Sequence, residues 1–322
     1  MFLMPDVTPP VAQLGWFPNP ECPIPRTAPA DPLPDLNYDI HVFSAFLVTT
    51  NEHAVLITSL VRNQSTKGNR NPTRHPPLVC IIRASNTTIK FKAHIRLVWT
   101  YFNPSFWNAL ILCPPPKETF LQDEDIRVAV AARYSGARSL RWLQLHRPPK
   151  RSPRKCCAVC VRPLFGTISL WKFVEFIAHY QVVGATSFYL YDLNMTSDLK
   201  LLVSRMQSLG VDLTLVPFKL IMDTVEHEHV HAHGQMPALY DCMFRSMFKV
   251  EYHVHVDIDE LMVPMPNFSF HAMIKEAERI NKGSFGSVRV AARSSVQDPT
   301  ATEALVTSVF DISASPSGPT QD

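Results

Sequence analysis

The sequence predicts an α/β protein with a mainly parallel sheet, preceded by a β-rich amino-terminal domain. Short apolar runs separated by turn residues fill residues 39–145, which favours strands. After residue 155, short strands alternate with amphipathic helices, an arrangement typical of a parallel sheet. An acidic pair, Asp257 and Asp259, follows the last strand of that series. Ligands bind at the carboxyl ends of parallel strands, so this pair marks the candidate site.

Composition limits the classes of protein that need to be considered. A chain of 322 residues, of which 46% are hydrophobic, is long enough for about two domains of about 150 residues each. Its formal net charge of +3 is too small to indicate nucleic acid as the main partner. No nucleic-acid partner is therefore expected.

The amino-terminal half is predicted to contain a tail, a β-rich domain and a linker. Residues 1–38 are rich in proline and are expected to be a disordered tail. The domain at 39–145 is expected to be a small β-sandwich or stem, and Cys80 and Cys113 lie in two of its strands, where they could pair. Residues 146–155 form a basic, Pro-interrupted linker. The predicted strands span residues 40–48, 54–61, 78–84, 89–101, 107–113 and 126–133.

The second domain, residues 156–322, shows the strand and helix alternation. Apolar residues at helical spacing predict helices at 168–183, 197–209, 236–248 and 269–280. Between them, short apolar runs predict strands at 158–161, 188–192, 213–218 and 252–257, and a last strand is expected at 287–290. Asp192 and Asp257 both stand at the carboxyl ends of strands in this series.

The acidic pair has a chemical consequence. If the strand continued through it, Asp257 and Asp259 would point to the same side, because side chains alternate along a strand. Two neighbouring carboxylates repel each other unless a cation lies between them. Oxygen ligands favour Mg²⁺, Mn²⁺ or Ca²⁺, and sites of the Mg²⁺ type use one or two carboxylates together with substrate phosphates. The pair therefore predicts a metal site for a nucleotide diphosphate.

The order of several motifs resembles that of a known family. The motifs are CVRPLFG at 160–166, EFIAHY at 175–180, FYLYD at 188–192, GQ at 234–235, ALYDC at 238–242, and VDIDEL at 256–261 followed by Val263 and Pro264. In order and spacing they resemble glycosyltransferase family 92, also called domain of unknown function 23. The resemblance covers about residues 156–290.

The resemblance implies a GT-A-like fold, a UDP-sugar donor and a glycan or glycoprotein acceptor. Relatives of this kind are inverting galactosyltransferases that use UDP-galactose and act on fucose of N-glycan cores. Carried over by motif, Asp257 and Asp259 would hold Mn²⁺ (or Mg²⁺) on the diphosphate, and Glu260 would serve the same motif. The implied donor contacts are Val161, Arg162 and Pro163 near the uracil, Asp192 near the nucleoside, and Gln235 and Asp241 on the donor side of the helix before the metal motif.

The chain also departs from the family pattern. The motifs fade beyond Val290, and no histidine follows His271, although enzymes of this fold often use a late histidine as a further ligand. The sequence is therefore expected to be incomplete at its carboxyl end. Inversion requires a carboxylate base, which the sequence does not place; Glu276, Glu278 and Glu303 are candidates without positional support. We expect donor binding with weak transfer, and the alternative is a catalytically inactive nucleotide-sugar or glycan-binding protein.

Location follows from the resemblance and from four glycosylation sequons. The family implies the Golgi lumen and a single-pass membrane anchor, although the sequence contains no signal or transmembrane segment, so membrane association is expected only through a missing amino-terminal anchor. The sequons begin at Asn63, Asn86, Asn194 and Asn267.

Two other clusters allow alternative interpretations. His227 with His231, and His229 with His233, have the i, i+4 spacing of helical zinc ligands, but a polar loop is the simpler interpretation. Cys156, Cys157 and Cys160 contain a Cys-Xaa-Xaa-Cys without a second pair. Buried thiols or disulfide partners are expected there.

Overall fold

The computed structural model describes residues 40–49, 53–62, 77–85, 87–98, 106–114, 125–132, 141–148, 154–220, 231–264, 268–281, 288–290, 308–309 and 312–314. The predicted tail at 1–38 lies outside these residues, as does 149–153, the middle of the predicted linker.

Seven strands in the amino-terminal half close into a barrel. The barrel order is β1-β2-β5-β4-β3-β6-β7. Its inner positions carry aliphatic side chains such as Ile57, Ile82 and Ile111, all fully buried. The strands are β1 Ile40–Thr49, β2 His53–Arg62, β3 Leu78–Ala84, β4 Thr87–Val98, β5 Phe106–Cys113, β6 Ile126–Ala132 and β7 Leu143–His146.

The predicted β-sandwich is therefore replaced by a closed barrel. Strand β7 of the barrel was not predicted from the sequence. It pairs with β6 on one side and runs parallel to β1 on the other. It has only four residues, too few for a clear alternation pattern. A disulfide joins Cys80 of β3 to Cys113 of β5, so the predicted pairing of these two cysteines is confirmed.

The second half begins with the strands and helices that lead to the acidic pair. They are β8 Lys155–Val161, β9 Leu164–Gly166, α1 Leu170–Val182, β10 Ala185–Met195, α2 Ser197–Ser208, β11 Leu213–Pro217, α3 Gln235–Ser246 and β12 Val250–Val256. A 3-10 turn at His231–Gly234 precedes α3. The strands form one small sheet in the order β11-β10-β8-β12, with β9 on β10. All of its pairings are parallel.

The remaining described elements follow the acidic pair. They are β13 Met262–Val263, α4 Phe270–Asn281, β14 Val288–Val290, β15 Ser308–Val309 and β16 Ile312–Ala314. Strand β13 pairs with β15, and β14 pairs with β16, in two separate two-stranded sheets.

The predicted fold class is wrong. The described structure is mostly β, with a closed seven-stranded barrel and a small parallel sheet, and it is not an α/β GT-A-like fold. Alternation of strands and helices predicted correctly where individual elements lie, but it did not show how small the parallel sheet is. Nor did it show that α3 packs against the barrel strands β1, β2 and β5 as well as against β8 and β12.

Local patterns explain the helices. Helix α1 buries Phe173, Phe176, Ile177 and Tyr180, whose spacing places them on one face. Helix α2 begins after Thr196, whose hydroxyl accepts the Leu199 N–H at 3.4 Å as an N-cap. No helix in the part of the chain that the structure describes is long and apolar enough to cross a membrane.

A buried polar cluster joins the barrel to the parallel sheet. Asp241 and Arg245 of α3 form an ion pair whose side chains are 2% and 4% exposed. The Tyr191 hydroxyl of β10 donates to Asp241 Oδ1 at 2.7 Å, and Arg245 contacts Ser44 of β1 and His146 of β7. Because these partners come from both halves, the cluster fixes the position of α3 relative to the barrel.

A second disulfide fixes the same helix. Cys160 of β8 is bonded to Cys242 of α3, while Cys156 and Cys157 at the start of β8 are free. The sequence predicted buried thiols or disulfide partners at these three positions. Both kinds are found: Cys160 is a disulfide partner, and Cys156 and Cys157 are partly and fully buried thiols.

Candidate functional site

The candidate site lies where β8 and β12 end side by side. Val161 is paired with Val256 in parallel register, and the Arg162 N–H donates to the Val256 carbonyl at 3.3 Å. The residues that follow each strand therefore meet at one edge of the sheet. Arg162 comes after β8, and Asp257 comes after β12.

The acidic residues form a turn rather than the end of a strand. Strand β12 ends at Val256. The Glu260 N–H donates to the Asp257 carbonyl at 3.1 Å, and Glu260 Oε2 accepts the Asp257 N–H at 3.0 Å. The premise that Asp257 and Asp259 alternate on one strand is therefore wrong. The turn instead leaves Asp257 partly buried and Asp259 exposed.

Two residues of α1 hold this turn against the sheet. The buried Tyr180 hydroxyl donates to the Glu260 carbonyl at 3.0 Å and accepts the Met262 N–H at 3.1 Å. His179 Nε2 lies 2.7 Å from the Met262 carbonyl. Both belong to the EFIAHY motif, but the sequence assigned them no role. Through these contacts, residues of the EFIAHY motif position the turn of the VDIDEL motif.

Arg162 connects the ends of three elements. Its Nη1 donates to Asp257 Oδ2 at 2.6 Å, and its Nε forms an ion pair with Oδ1 at 2.5 Å. The Gln235 amide at the start of α3 is assigned with its oxygen toward Arg162, because that orientation alone accepts from Nε at 2.5 Å and from Nη2 at 3.0 Å. The structure thus brings together three of the predicted site residues.

The environment of Asp257 disfavours its negative charge. Burial, together with the charges of Glu260 and Asp259, raises the pKa of Asp257 to about 6, although the nearby Arg162 charge lowers it. Asp257 Oδ1 is buried and lies 2.5 Å from Arg162 Nε, whose single N–H also faces the Gln235 amide oxygen. A buried acceptor that shares one N–H with a second acceptor is under-satisfied, which is costly unless a ligand completes its contacts.

These features suit a divalent cation that is completed by substrate. In the described part of the chain, no group of three or more His, Cys, Asp or Glu side chains is arranged to hold a metal ion. Mg²⁺-type sites need only one or two carboxylates when phosphates supply other ligands. The Asp257 and Asp259 carboxylates fit that type of donor set.

Asp192 is occupied by local contacts. Its Oδ1 accepts the Met195 N–H at 2.9 Å, and its Oδ2 pairs with Lys200 Nζ at 2.7 Å. Strand β10 continues to Met195, so Asp192 lies within the strand and not at its end as predicted, and its carboxylate is engaged by local partners. Nucleoside recognition by Asp192 stays a prediction.

The other predicted donor contacts differ in exposure. Val161 and Pro163 are buried. Asp241 is fully engaged by Arg245 and Tyr191 in the buried polar cluster. Burial raises the pKa of Asp241, but the charge of Arg245 and the hydrogen bonds outweigh this effect and hold it below its ordinary value. These contacts connect Asp241 to the barrel, and a direct donor contact by it stays a prediction.

The predicted zinc cluster and the late carboxylates are only partly described. His227 and His229 lie outside the described residues, and His231 and His233 form the 3-10 turn before α3. Glu276 pairs with Arg279 on the surface of α4, and Glu278 accepts the Tyr252 hydroxyl at 3.1 Å. Glu303 lies outside the described residues.

Comparison with known families defines the class. Residues 155–305 match the model of glycosyltransferase family 92, a match that begins at the first residue of β8 and extends beyond Val290. The resemblance inferred from the motifs is therefore confirmed over residues 155–305. No curated protein matches the chain. The match implies a glycosyltransferase, a class of enzyme that binds a sugar donor and a glycan acceptor.

Proposed function

We propose that the chain is a metal-dependent glycosyltransferase that uses a UDP-sugar, with UDP-galactose as the donor. The acceptor we propose is fucose of an N-glycan core, and the transfer inverts the anomeric carbon. The family match supports the reaction class. We propose UDP-galactose, the fucose acceptor and inversion because the motifs resemble those of relatives with these properties.

One observation carries the metal dependence. The turn from Asp257 to Glu260 places three acidic side chains within four residues at the carboxyl edge of the parallel sheet. One oxygen of Asp257, Oδ1, is buried and faces Arg162 Nε, whose single N–H is shared with the Gln235 amide oxygen. A cation bound by Asp257 and Asp259 would satisfy that oxygen and lower the mutual repulsion of the carboxylates.

Charge explains why such a site suits sugar transfer. Breaking the sugar-phosphate bond places negative charge on the departing diphosphate, and a bound Mn²⁺ or Mg²⁺ would stabilise that charge. Arg162 lies next to the same edge, where its guanidinium can also face an anion. Tyr180 and His179 keep the turn in position, so the backbone of the turn needs little rearrangement when the diphosphate binds.

Calorimetry of UDP binding tests this proposal. We expect Mn²⁺ to strengthen UDP binding by the wild-type chain, and Asp259→Asn to weaken Mn²⁺-dependent binding at least about tenfold. The matched control is Asp212→Asn, because Asp212 pairs with Lys155 at the opposite edge of the same sheet. Equal UDP affinity with and without Mn²⁺ in all three proteins would contradict the proposal.

A binding protein without transfer activity is the second candidate. It is favoured by the positions of the α4 carboxylates, since Glu278 is held by Tyr252 and Glu276 by Arg279. Each of these carboxylates is therefore engaged by a neighbouring side chain in the described structure. Incubation with UDP-galactose and a fucosylated N-glycan separates the candidates: turnover supports the enzyme, whereas Mn²⁺-dependent UDP binding without turnover supports the binding protein.

We also propose residence in the secretory pathway. The two disulfides, Cys80–Cys113 and Cys160–Cys242, are of the kind that persists in oxidising compartments. Of the four sequons, only Asn194 is among the described residues, where it is exposed on β10. Expression with a signal peptide should produce a glycosidase-sensitive increase in mass, with Asn194 modified least because it lies close to the proposed donor site. An unchanged mass would contradict this proposal.

A further inference from the structure

Arg162 makes two kinds of contact that have different chemical consequences. Toward Asp257, its Nε and Nη1 face the two carboxylate oxygens. Toward Gln235, its Nε and Nη2 face a neutral amide oxygen. The first contact neutralises a charge, whereas the second orients the guanidinium without neutralising anything.

The contact with Asp257 occupies the oxygens that a cation would use. A divalent cation binds carboxylate oxygens at roughly 2.0–2.6 Å, but Nη1 already lies 2.6 Å from Oδ2 and Nε lies 2.5 Å from Oδ1. The cation and the guanidinium are both positive. They cannot approach the same carboxylate in this arrangement without strong repulsion.

Arg162 is placed so that it can leave Asp257. Its side chain is 43% exposed, and the contact with Gln235, which is 6% exposed, does not depend on Asp257. If the guanidinium turns away from the carboxylate, Nη1 becomes available for an anionic group at the same edge. A diphosphate brought in with the cation supplies such a group, and arginine binds phosphate well through paired N–H donors.

We propose that Arg162 is a positioning residue that takes the place of the divalent cation on Asp257 and moves to the donor diphosphate when cation and nucleotide bind. This inference rests on the proposed function, because it assumes a cation on Asp257 and Asp259. It makes binding of the two ligands cooperative: the cation displaces the arginine, and the diphosphate accepts it. In the absence of nucleotide, the divalent cation is then expected to bind weakly.

The test measures Mn²⁺ binding without nucleotide, by calorimetry and by the electron paramagnetic resonance signal of free Mn²⁺. Arg162→Gln removes the competing charge, so we expect it to bind Mn²⁺ alone more tightly than the wild type does, by roughly 5- to 150-fold, the usual range of coupling between sites. The same variant should bind UDP with Mn²⁺ more weakly. Lys155→Gln is the matched control, since Lys155 pairs with Asp212 at the other end of the same strand, β8, and should change neither affinity.

The outcomes separate this inference from the proposed function. Unchanged or weaker Mn²⁺ binding by Arg162→Gln would overturn the displacement of Arg162, while Mn²⁺-dependent UDP binding by the wild type would leave the proposed function intact. If the wild type shows no Mn²⁺-dependent UDP binding, both are overturned. Arg162→Lys keeps the charge but not the paired donors, and it should give an intermediate Mn²⁺ affinity. Failure of both Arg162 variants to fold, seen in thermal melting, would show that the arginine is fixed by the fold and would overturn its displacement.

Discussion

Removing the charge of Asp241 should destabilise the whole chain, because Arg245 would then be buried without its counter-ion. In Asp241→Asn the side chain keeps nearly the same shape and one oxygen acceptor. It loses the negative charge and one of the two acceptor atoms that Arg245 Nε and Nη2 contact at 2.8 and 2.9 Å. The Tyr191 hydroxyl, 2.7 Å from the same carboxylate, also loses part of its interaction.

The magnitude follows from burial. The two side chains are 4% and 2% exposed, so water cannot replace the lost partner. Removing one partner of such a buried pair typically costs about 3–5 kcal/mol, and we expect about 3 kcal/mol because the asparagine retains an acceptor. At roughly 2 °C per kcal/mol for a large domain, the melting temperature should fall by about 6 °C.

Denaturant and thermal unfolding of matched variants provide the assay. Asp241→Asn is compared with Glu276→Gln, which makes the same kind of change in the exposed pair of Glu276 with Arg279. That control should leave the unfolding midpoint unchanged, since exposed pairs contribute little. The double variant Asp241→Leu with Arg245→Met replaces the ion pair by apolar side chains and should recover most of the lost stability.

Two results would refute this reasoning. A loss below about 1 kcal/mol in Asp241→Asn would mean that the cluster is hydrated in solution. A double variant that is less stable than Asp241→Asn alone would mean that the pair itself, rather than the avoidance of an unpaired charge, supplies the stability. In either case the cluster would not fix α3 as we argue.

Three further predictions concern the elements around the site. Replacing Cys160 and Cys242 together by alanine should lower the free energy of unfolding by about 2–5 kcal/mol, because the disulfide closes a loop of 82 residues; equal denaturant midpoints would contradict this. Burial, together with the charge of Arg245, lowers the pKa of His146 from 6.5 to about 3. In the unfolded chain, His146 takes up a proton as the pH falls below 6.5, whereas in the folded chain it stays neutral until about pH 3. The free energy of unfolding therefore falls as the pH falls between these two values. His146→Gln should remove up to ~1.4 kcal/mol per pH unit of this dependence, and parallel pH profiles of the two proteins would refute the assignment. Gly234→Ala should weaken UDP binding and cost more stability than Gly210→Ala. Both glycines have positive φ, but only at Gly234 would an added Cβ lie 3.0 Å from neighbouring side chains. Equal losses of stability in the two variants would show that those side chains move aside.

The positions of the elements that carry the site follow from local sequence. Apolar periodicity placed β8, β10, β11 and β12, and helices α1 to α4, within a few residues of their observed bounds. It also placed Asp257 at the edge where the parallel strands end. Such patterns are visible because each strand or helix buries one face, and the spacing of its apolar residues records that burial.

The fold class depended on contacts that local sequence does not record. Closure of the barrel depends on β7, a four-residue strand that pairs in parallel with β1 from the far end of the barrel sequence. Its pairing is decided by the register of its neighbours and not by its own pattern. The sequence therefore led us to a sandwich and to a larger α/β fold, although most of the longer strands and helices were placed correctly.

The chemistry of the site also depended partly on local sequence and partly on tertiary contacts. The sequence alone determined that carboxylates follow β12 and that the motifs are those of glycosyltransferase family 92. The tertiary structure decided that the carboxylates stand in a turn held by Tyr180, that Arg162 pairs with Asp257, and that Asp241 faces the barrel. Each of these contacts joins residues that are distant in the chain or turned by backbone geometry, and only the assembled packing of α1, α3, the barrel and the sheet brings them within bonding distance.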